Sequence, residues 1–180
     1  QQIDFDLTEH ATGMLCGGQV SVFIDPIVSH FAYIFGGGHV GLHLEKILTM
    51  VGFSCSIIDD RQEFSNKERF PNAIECLSGE YTEIVQKLNF KNPAYIIITT
   101  RGHAYDADVL EWAIQQEVKY IGMIGSKRKI SSTFENIKEK GYSQELLDKV
   151  HAPIGLSIGA KTAEEIAVSI AAELIQVKRS

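Results

Sequence analysis

"FAYIFGGGHVG", residues 31–41, joins five apolar residues to three glycines and the start of a periodic segment. An unbroken apolar run of this length suits a strand buried on both faces. Beyond the glycines, Val40, Leu44, Ile47 and Val51 recur at helical spacing, which predicts a helix over residues 39–51. Gly36, Gly38 and Gly41 fit G-x-G-x-x-G between that strand and that helix, with Gly37 completing the run. Gly36 permits the tight turn, Gly38 lets backbone approach a phosphate, and Gly41 allows close packing of helix on strand. Free amides at the helix start attract an anion, and His39, directly after the glycines, falls at the same site. Asp59 lies about 20 residues further on, at the end of the next apolar run, where a carboxylate can hold a ribose hydroxyl pair. Strand, turn, helix and acid in register predict binding of a nucleotide or a pterin phosphate.

Outward from this unit the same alternation continues. "SCSIID" (54–59), "AIECL" (73–77), "AYIIITT" (94–100) and "KYIGMIG" (119–125) read as strands, and residues 82–88, 106–117 and 126–141 as helices. Five strands with intervening helices predict an α/β, doubly wound (Rossmann-like) parallel sheet. Right-handed crossovers place the first, fourth and fifth of these strands side by side, with the second and third on the other flank. A last helix is expected after Thr162, where Glu165 completes a capping box, with Ile166, Ile170, Leu174 and Val177 on its core face. The connection before it, "HAPIGLSIGAKT" (151–162), is apolar and glycine-rich, and is either packed filler or a functional lid. Residues 1–29 stand outside the alternation. "QVSVFIDP" alternates like a half-buried strand, and the segment is too short for a core of its own, so residues 1–29 read as an N-terminal arm or the remnant of a small domain, with a cofactor-binding domain over 30–180.

Two further loops fall at carboxyl ends of strands flanking the first, where open α/β sheets bind ligands. "TTRGHAYDAD" offers Arg101, His103, Asp106 and Asp108, and Asp106 is equally explained as a helix cap. "GSKRK" offers Ser126, Lys127 and Arg128 at a second anion-friendly helix start. His39 and His43 share a helical face, yet no neighbouring carboxylate or cysteine in sequence completes a metal set. The 180 residues carry a net charge of -6 with 44% hydrophobic and 22% charged residues. That balance allows a sizeable core and argues against a nucleic-acid protein, where a basic face is expected. No apolar run approaches the roughly 20 residues needed to span a bilayer, so no membrane partner is expected. Cys16, Cys55 and Cys76 are odd in number and without a CxxC, which argues against a disulfide framework and points to the cytoplasm. Cys55 and Cys76 lie in strands and read as core. Cys16, in "GMLCGGQV", sits between glycines that leave room for a ligand, and is either a small buried filler or a soft contact for one.

Taken together, "MLCGGQV", "IFGGGHVG", "IIDDR", "RFP", "TTRGHAYD", "IGMIGSKRK" and "HAPIGLSIGAKTAEEIAVSIAAELI" resemble the xanthine dehydrogenase accessory protein family, the XdhC-like proteins. The resemblance implies a chaperone for the molybdenum cofactor (molybdopterin or its dinucleotide form) rather than an enzyme with turnover chemistry of its own. Such proteins bind the cofactor, protect it while a cysteine desulfurase supplies a sulfido ligand, and deliver it to a molybdenum hydroxylase apoenzyme, commonly as homodimers. It further implies Cys16 as a contact to molybdenum or its labile sulfur, a soft partner for a thiolate. An upstream Gly-Ser-x-Pro-Arg-like motif and a later Gly-Gly-Cys-Leu-Glu-like motif, usual in the family, do not occur, so a short variant or a missing N-terminal region is expected. Two rivals remain open: an NAD(P)-dependent oxidoreductase, for which little chain is left to build a substrate domain, and a nucleotide-sensing regulatory domain.

Overall fold

The computed structural model of the chain describes residues 2–6, 19–23 and 29–180. Strands β1 (Gln2–Asp6) and β2 (Gln19–Phe23) pair antiparallel, with the Ser21 hydroxyl donating to Asp4 at 2.6 Å. β2 is the strand expected in "QVSVFIDP". β1 is not legible in the sequence, because five residues alternating among acids carry too little pattern to stand out.

The remaining elements, in order, are β3 (His30–Phe35), α1 (His39–Met50), β4 (Phe53–Asp59), a 3-10 turn (Gln62–Phe64), β5 (Glu75–Ser78), α2 (Tyr81–Lys87), β6 (Ala94–Ile98), α3 (His103–Ala113), β7 (Tyr120–Met123), α4 (Lys127–Glu139), α5 (Gln144–Leu147), β8 (Val150–His151) and α6 (Ala163–Arg179). Among the described residues the strands from β3 onward form one parallel sheet in the order β5-β4-β3-β6-β7-β8. The expected order holds, and β8 extends it by a sixth strand. That strand has no signature in the sequence, because two residues at the head of an irregular loop have no periodicity to read. It lies beside β7, pairing Val150 with Ile121 and His151 with Gly122. The short helix α5 is likewise an addition to the expected elements.

Two cores sandwich the sheet. On one face Tyr33, Phe35, Ile96 and Ile98 pack under α2, α3 and α4 with Val109, Leu110 and Ile137. On the other, Ala32, Ile34, Ile57 and Ile97 pack under α1 and α6 with Leu44, Leu48, Ile170 and Leu174. Alternate side chains of each strand therefore enter different cores, which is why β6 is buried along its whole length and reads as a continuous apolar run. α6 starts where expected: the Thr162 hydroxyl accepts from the Glu165 N–H, and the Glu165 carboxylate accepts from the Thr162 N–H. At the start of α4 the Ser126 hydroxyl accepts from the Lys129 N–H. α1 and α3 open differently, at Gly38 and Gly102, which bring no side chain to cap them.

Candidate functional site

The carboxyl ends of β3, β6 and β7 carry the expected loops to one edge of the sheet. At the centre, Gly36 has φ +118, a conformation that L side chains rarely adopt, and a Cβ there would run into the Thr99 carbonyl on β6's exit. A Cβ on Gly41 would overlap the Gly36 carbonyl oxygen, so glycine is what lets α1 sit down on the turn. Gly38 is the contrast: among the described residues nothing lies within 4 Å of the position its Cβ would take. Among the described residues the backbone of the helix start is thus uncapped and open, the geometry in which amides and helix dipole meet an anion. His39 is exposed at the first position of α1.

On the β4 side the turn is crowded. Asp59 is only 1% exposed and fully engaged: its carboxylate accepts from the Gly37 N–H at 2.8 Å, the Arg61 N–H at 3.1 Å, and Arg61 Nε and Nη2 at 3.0 and 3.2 Å. Arg69 Nε donates to the Gly37 carbonyl at 3.1 Å, and a Cβ on Gly37 would strike the Phe64 carbonyl. Arg101 Nη2 reaches across from the exit of β6 to Asp60 at 2.6 Å. Burial pushes the Asp60 carboxyl up, but hydrogen bonding and charge from Arg101, with Arg61 adding to it, hold it below the usual carboxylate range. Arg101 therefore ties two loops together above the glycine turn. Asp60, Arg61 and Arg69 fall in "IIDDR" and "RFP", stretches that carry the family resemblance, but are not among the candidate site residues; the available signal is "DDR" at a strand end, a cation two residues from the acid it neutralises.

On the β7 side the edge is open and basic. Ser126, Lys127 and Arg128 are all exposed, and neither of the two cations enters an ion pair among the described residues. Lys129 instead pairs with Asp106, which is 0% exposed and accepts from the Thr100 hydroxyl at 2.6 Å. Asp106 is thus no helix cap: α3 starts earlier than expected, at His103, and the Asp106 carboxylate is a buried link between the β6 exit and α4. Asp108 is exposed on α3.

The connection after β8 completes this side. Ile154 is buried in the α1/α6 core, the Gly155 N–H donates to Glu173 at 2.6 Å, and Ser169 Oγ donates to the Leu156 carbonyl at 2.6 Å. The loop is strapped to α6, yet Leu156 and Ile158 remain 37% and 54% exposed. With Ile124, Gly125, Lys127 and Ile166 they line a cavity of about 560 Å³ whose walls are chiefly apolar. α6 lies against α1, and His43 on α1 meets Glu164 on α6 at 3.2 Å, so both helix starts share this edge.

Of the thiols, Cys55 is buried in β4, where burial pushes it up to about 12, and burial also raises half-buried Cys76. Cys16 lies outside the described residues. No helix among the described residues is long and apolar enough to cross a membrane.

The chain is similar to known proteins. The model of the XdhC Rossmann domain matches residues 32–174. The protein YqeB of Escherichia coli K12 is 33% identical over 172 residues, covering 94% of this chain and 31% of that protein. A probable xanthine dehydrogenase subunit of Bacillus subtilis is 25% identical over 146 residues, 81% of this chain and 42% of that one. A crystal structure of a xanthine dehydrogenase from Bacillus halodurans superposes with a TM-score of 0.73 at 30% identity, over 84% of this chain and 43% of that one. The chain spans less than half the length of each of these relatives.

Proposed function

The chain belongs to the XdhC family through its Rossmann domain, and from that premise we propose that it binds molybdenum cofactor as cargo for a xanthine dehydrogenase-type molybdenum hydroxylase. The observation that carries the reading is the pairing of two unlike surfaces on one sheet edge. The open, uncapped start of α1 at Gly38 suits a phosphate, and the apolar cavity lined by Ile124, Leu156 and Ile158 suits a flat heterocycle. Lys127 lines that cavity, and Arg128 follows it at the same helix start. Neither charge is committed to an acid among the described residues, in a chain whose net charge is -6.

In this reading Gly38, His39 and Gly41 hold the phosphate end through backbone amides, and Ser126, Lys127 and Arg128 add hydrogen bonds and charge. Cys16 is the thiol offered to molybdenum, since the two described thiols sit in strands and are held above their ordinary value. Bound cofactor supplies the redox-active metal to the client. The chain's own part is to bind, orient and shield it, with a cysteine desulfurase and a second copy of the chain as expected partners.

The test is reconstitution under anaerobic conditions with molybdenum cofactor, followed by metal quantification and fluorescence of the oxidised pterin. Near-stoichiometric loading is expected for the wild type, and at least ~10-fold weaker loading for Gly38→Val, which puts a side chain where the phosphate lies. A folded wild-type protein that retains neither molybdenum nor pterin sinks the proposal.

A further inference from the structure

In a dinucleotide-binding Rossmann domain the ligand spans the glycine turn: pyrophosphate over the helix start, adenosine ribose on the acid that ends the second strand. Here that second strand is β4 and the acid is Asp59. Its carboxylate already accepts from the Gly37 N–H and receives three donors from Arg61. An ionised carboxylate offers about four lone-pair sites, so a ribose diol finds none free without displacing Arg61.

The volume beside Asp59 is filled as well. The Phe64 carbonyl abuts Gly37, and the Phe64 ring lies beneath the Arg61 guanidinium at 3.6 Å and near that of Arg69 at 5.1 Å. Phe70, fully buried, packs against the same glycine. The segment is braced from within and from below. Ser65 Oγ donates to the Ile57 carbonyl at 2.9 Å, the Asn66 side chain donates to the Gln62 and Glu63 carbonyls, and its Oδ1 accepts from the Arg69 N–H at 2.9 Å.

We propose that residues 61–70 are a built-in occupant of the adenosine half-site, with the Arg61 guanidinium standing on Asp59 where a ribose diol would, so that Arg61 is a specificity-determining residue against dinucleotides. The glycine turn then takes a ligand by its phosphate alone, approached from the side of His39 and the cavity at Leu156 and Ile158. This rests on reading that turn as a phosphate site, and it decides which class of phosphate ester enters.

The experiment is calorimetric titration of the whole chain with NADH. Wild-type protein is expected to give no saturable binding. Arg61→Ala frees one acceptor site on each oxygen of the Asp59 carboxylate and should give saturable NADH binding, at least ~10-fold tighter than the weakest affinity the titration detects, the worth of one hydrogen bond to a charged group. Asp59→Asn in that background should remove the gain. Circular dichroism checks the fold of each variant, and Arg61→Lys, which keeps the charge but not the bidentate grip, replaces Arg61→Ala should the latter unfold. Saturable NADH binding by wild type that is lost in Asp59→Asn overturns the proposal, as does a folded Arg61 variant with no gain. Loading with molybdenum cofactor is scored separately: failure there with NADH still excluded counts against the proposed function, whereas loading together with NADH binding counts against the occupied half-site.

Discussion

Single glycines in the turn hold different jobs, and substitution separates them. Gly41→Ala forces a methyl into the Gly36 carbonyl and should lower stability by roughly 2 kcal/mol, in the range of overpacking a rigid site. Gly38→Val meets open space among the described residues, so its cost should stay at about 1 kcal/mol, that of a poorer helix N-cap, while ligand binding collapses. Denaturant melts of the two variants, set beside their cofactor loading, distinguish a packing glycine from a binding one. Glu45 is a different kind of residue. It is 1% exposed in α1, Thr49 donates to one carboxylate oxygen at 3.3 Å, and the other oxygen has no hydrogen-bond partner among the described residues. Burial raises its carboxyl above the usual value, with the Thr49 bond and Lys46 and Lys67 opposing. A raised folded-state value means its contribution is fully present below the unfolded value and is lost as pH rises through the folded one. Glu45→Gln should therefore match wild type in melting temperature below about pH 4 and exceed it at about pH 7. A constant difference across that range would show that ionisation is not the cause.

Helix starts are the functional units one level up, and they fall into two classes. α4 and α6 carry side-chain caps, from Ser126 and from the Thr162–Glu165 box, whereas α1 and α3 begin on glycine and leave their first amides without one. A side-chain cap competes with a ligand for those amides, so both bare starts are open to an anion, and among the described residues only the Gly38 start also has clear space beside it, since a Cβ on Gly102 would meet the Tyr105 ring. At α4 the helix cap and the charges are separate: Ser126 closes the helix, and Lys127 and Arg128 are exposed without acidic partners among the described residues. Neutralising both should weaken cofactor binding by ~10-fold or more at low ionic strength, with the difference shrinking as salt is added. Equal affinities at low salt would assign them to the solvated surface.

For the molecule as a whole, the sheet order places the crossover point between β3 and β6, and every described loop of the proposed site leaves the carboxyl edge around it. Among the described residues three side-chain contacts span that edge: Arg101 to Asp60 joins the exits of β6 and β4, Lys129 to Asp106 joins α4 to α3, and His43 to Glu164 joins α1 to α6. Global cooperativity can be read from a thiol. Cys55 is 0% exposed in a central part of the sheet, with its thiol pushed up to about 12. Its alkylation should track unfolding of the whole sheet, rising with denaturant along the curve given by circular dichroism. Rapid labelling under native conditions would mean that β4 opens locally.

Local pattern determined much of this architecture. The apolar runs at 31–35 and 94–98, the helical stripes and the Thr162 capping box are each legible because a buried strand or a capped helix depends on residues close in sequence. The glycine turn and the basic loop after β7 can be placed on one sheet edge for a related reason, since strand order follows from crossover handedness. β8 is not legible, because a two-residue strand exists only through its partner β7. Nor is the state of Asp59. Position alone marks it as the ribose acid of a dinucleotide fold, yet whether that carboxylate is free depends on where Arg61, Phe64 and Arg69 fold back, and those contacts are decided by three-dimensional packing. Sequence spacing set which groups reach the edge of the sheet; only tertiary structure decided which of them are already spent on one another.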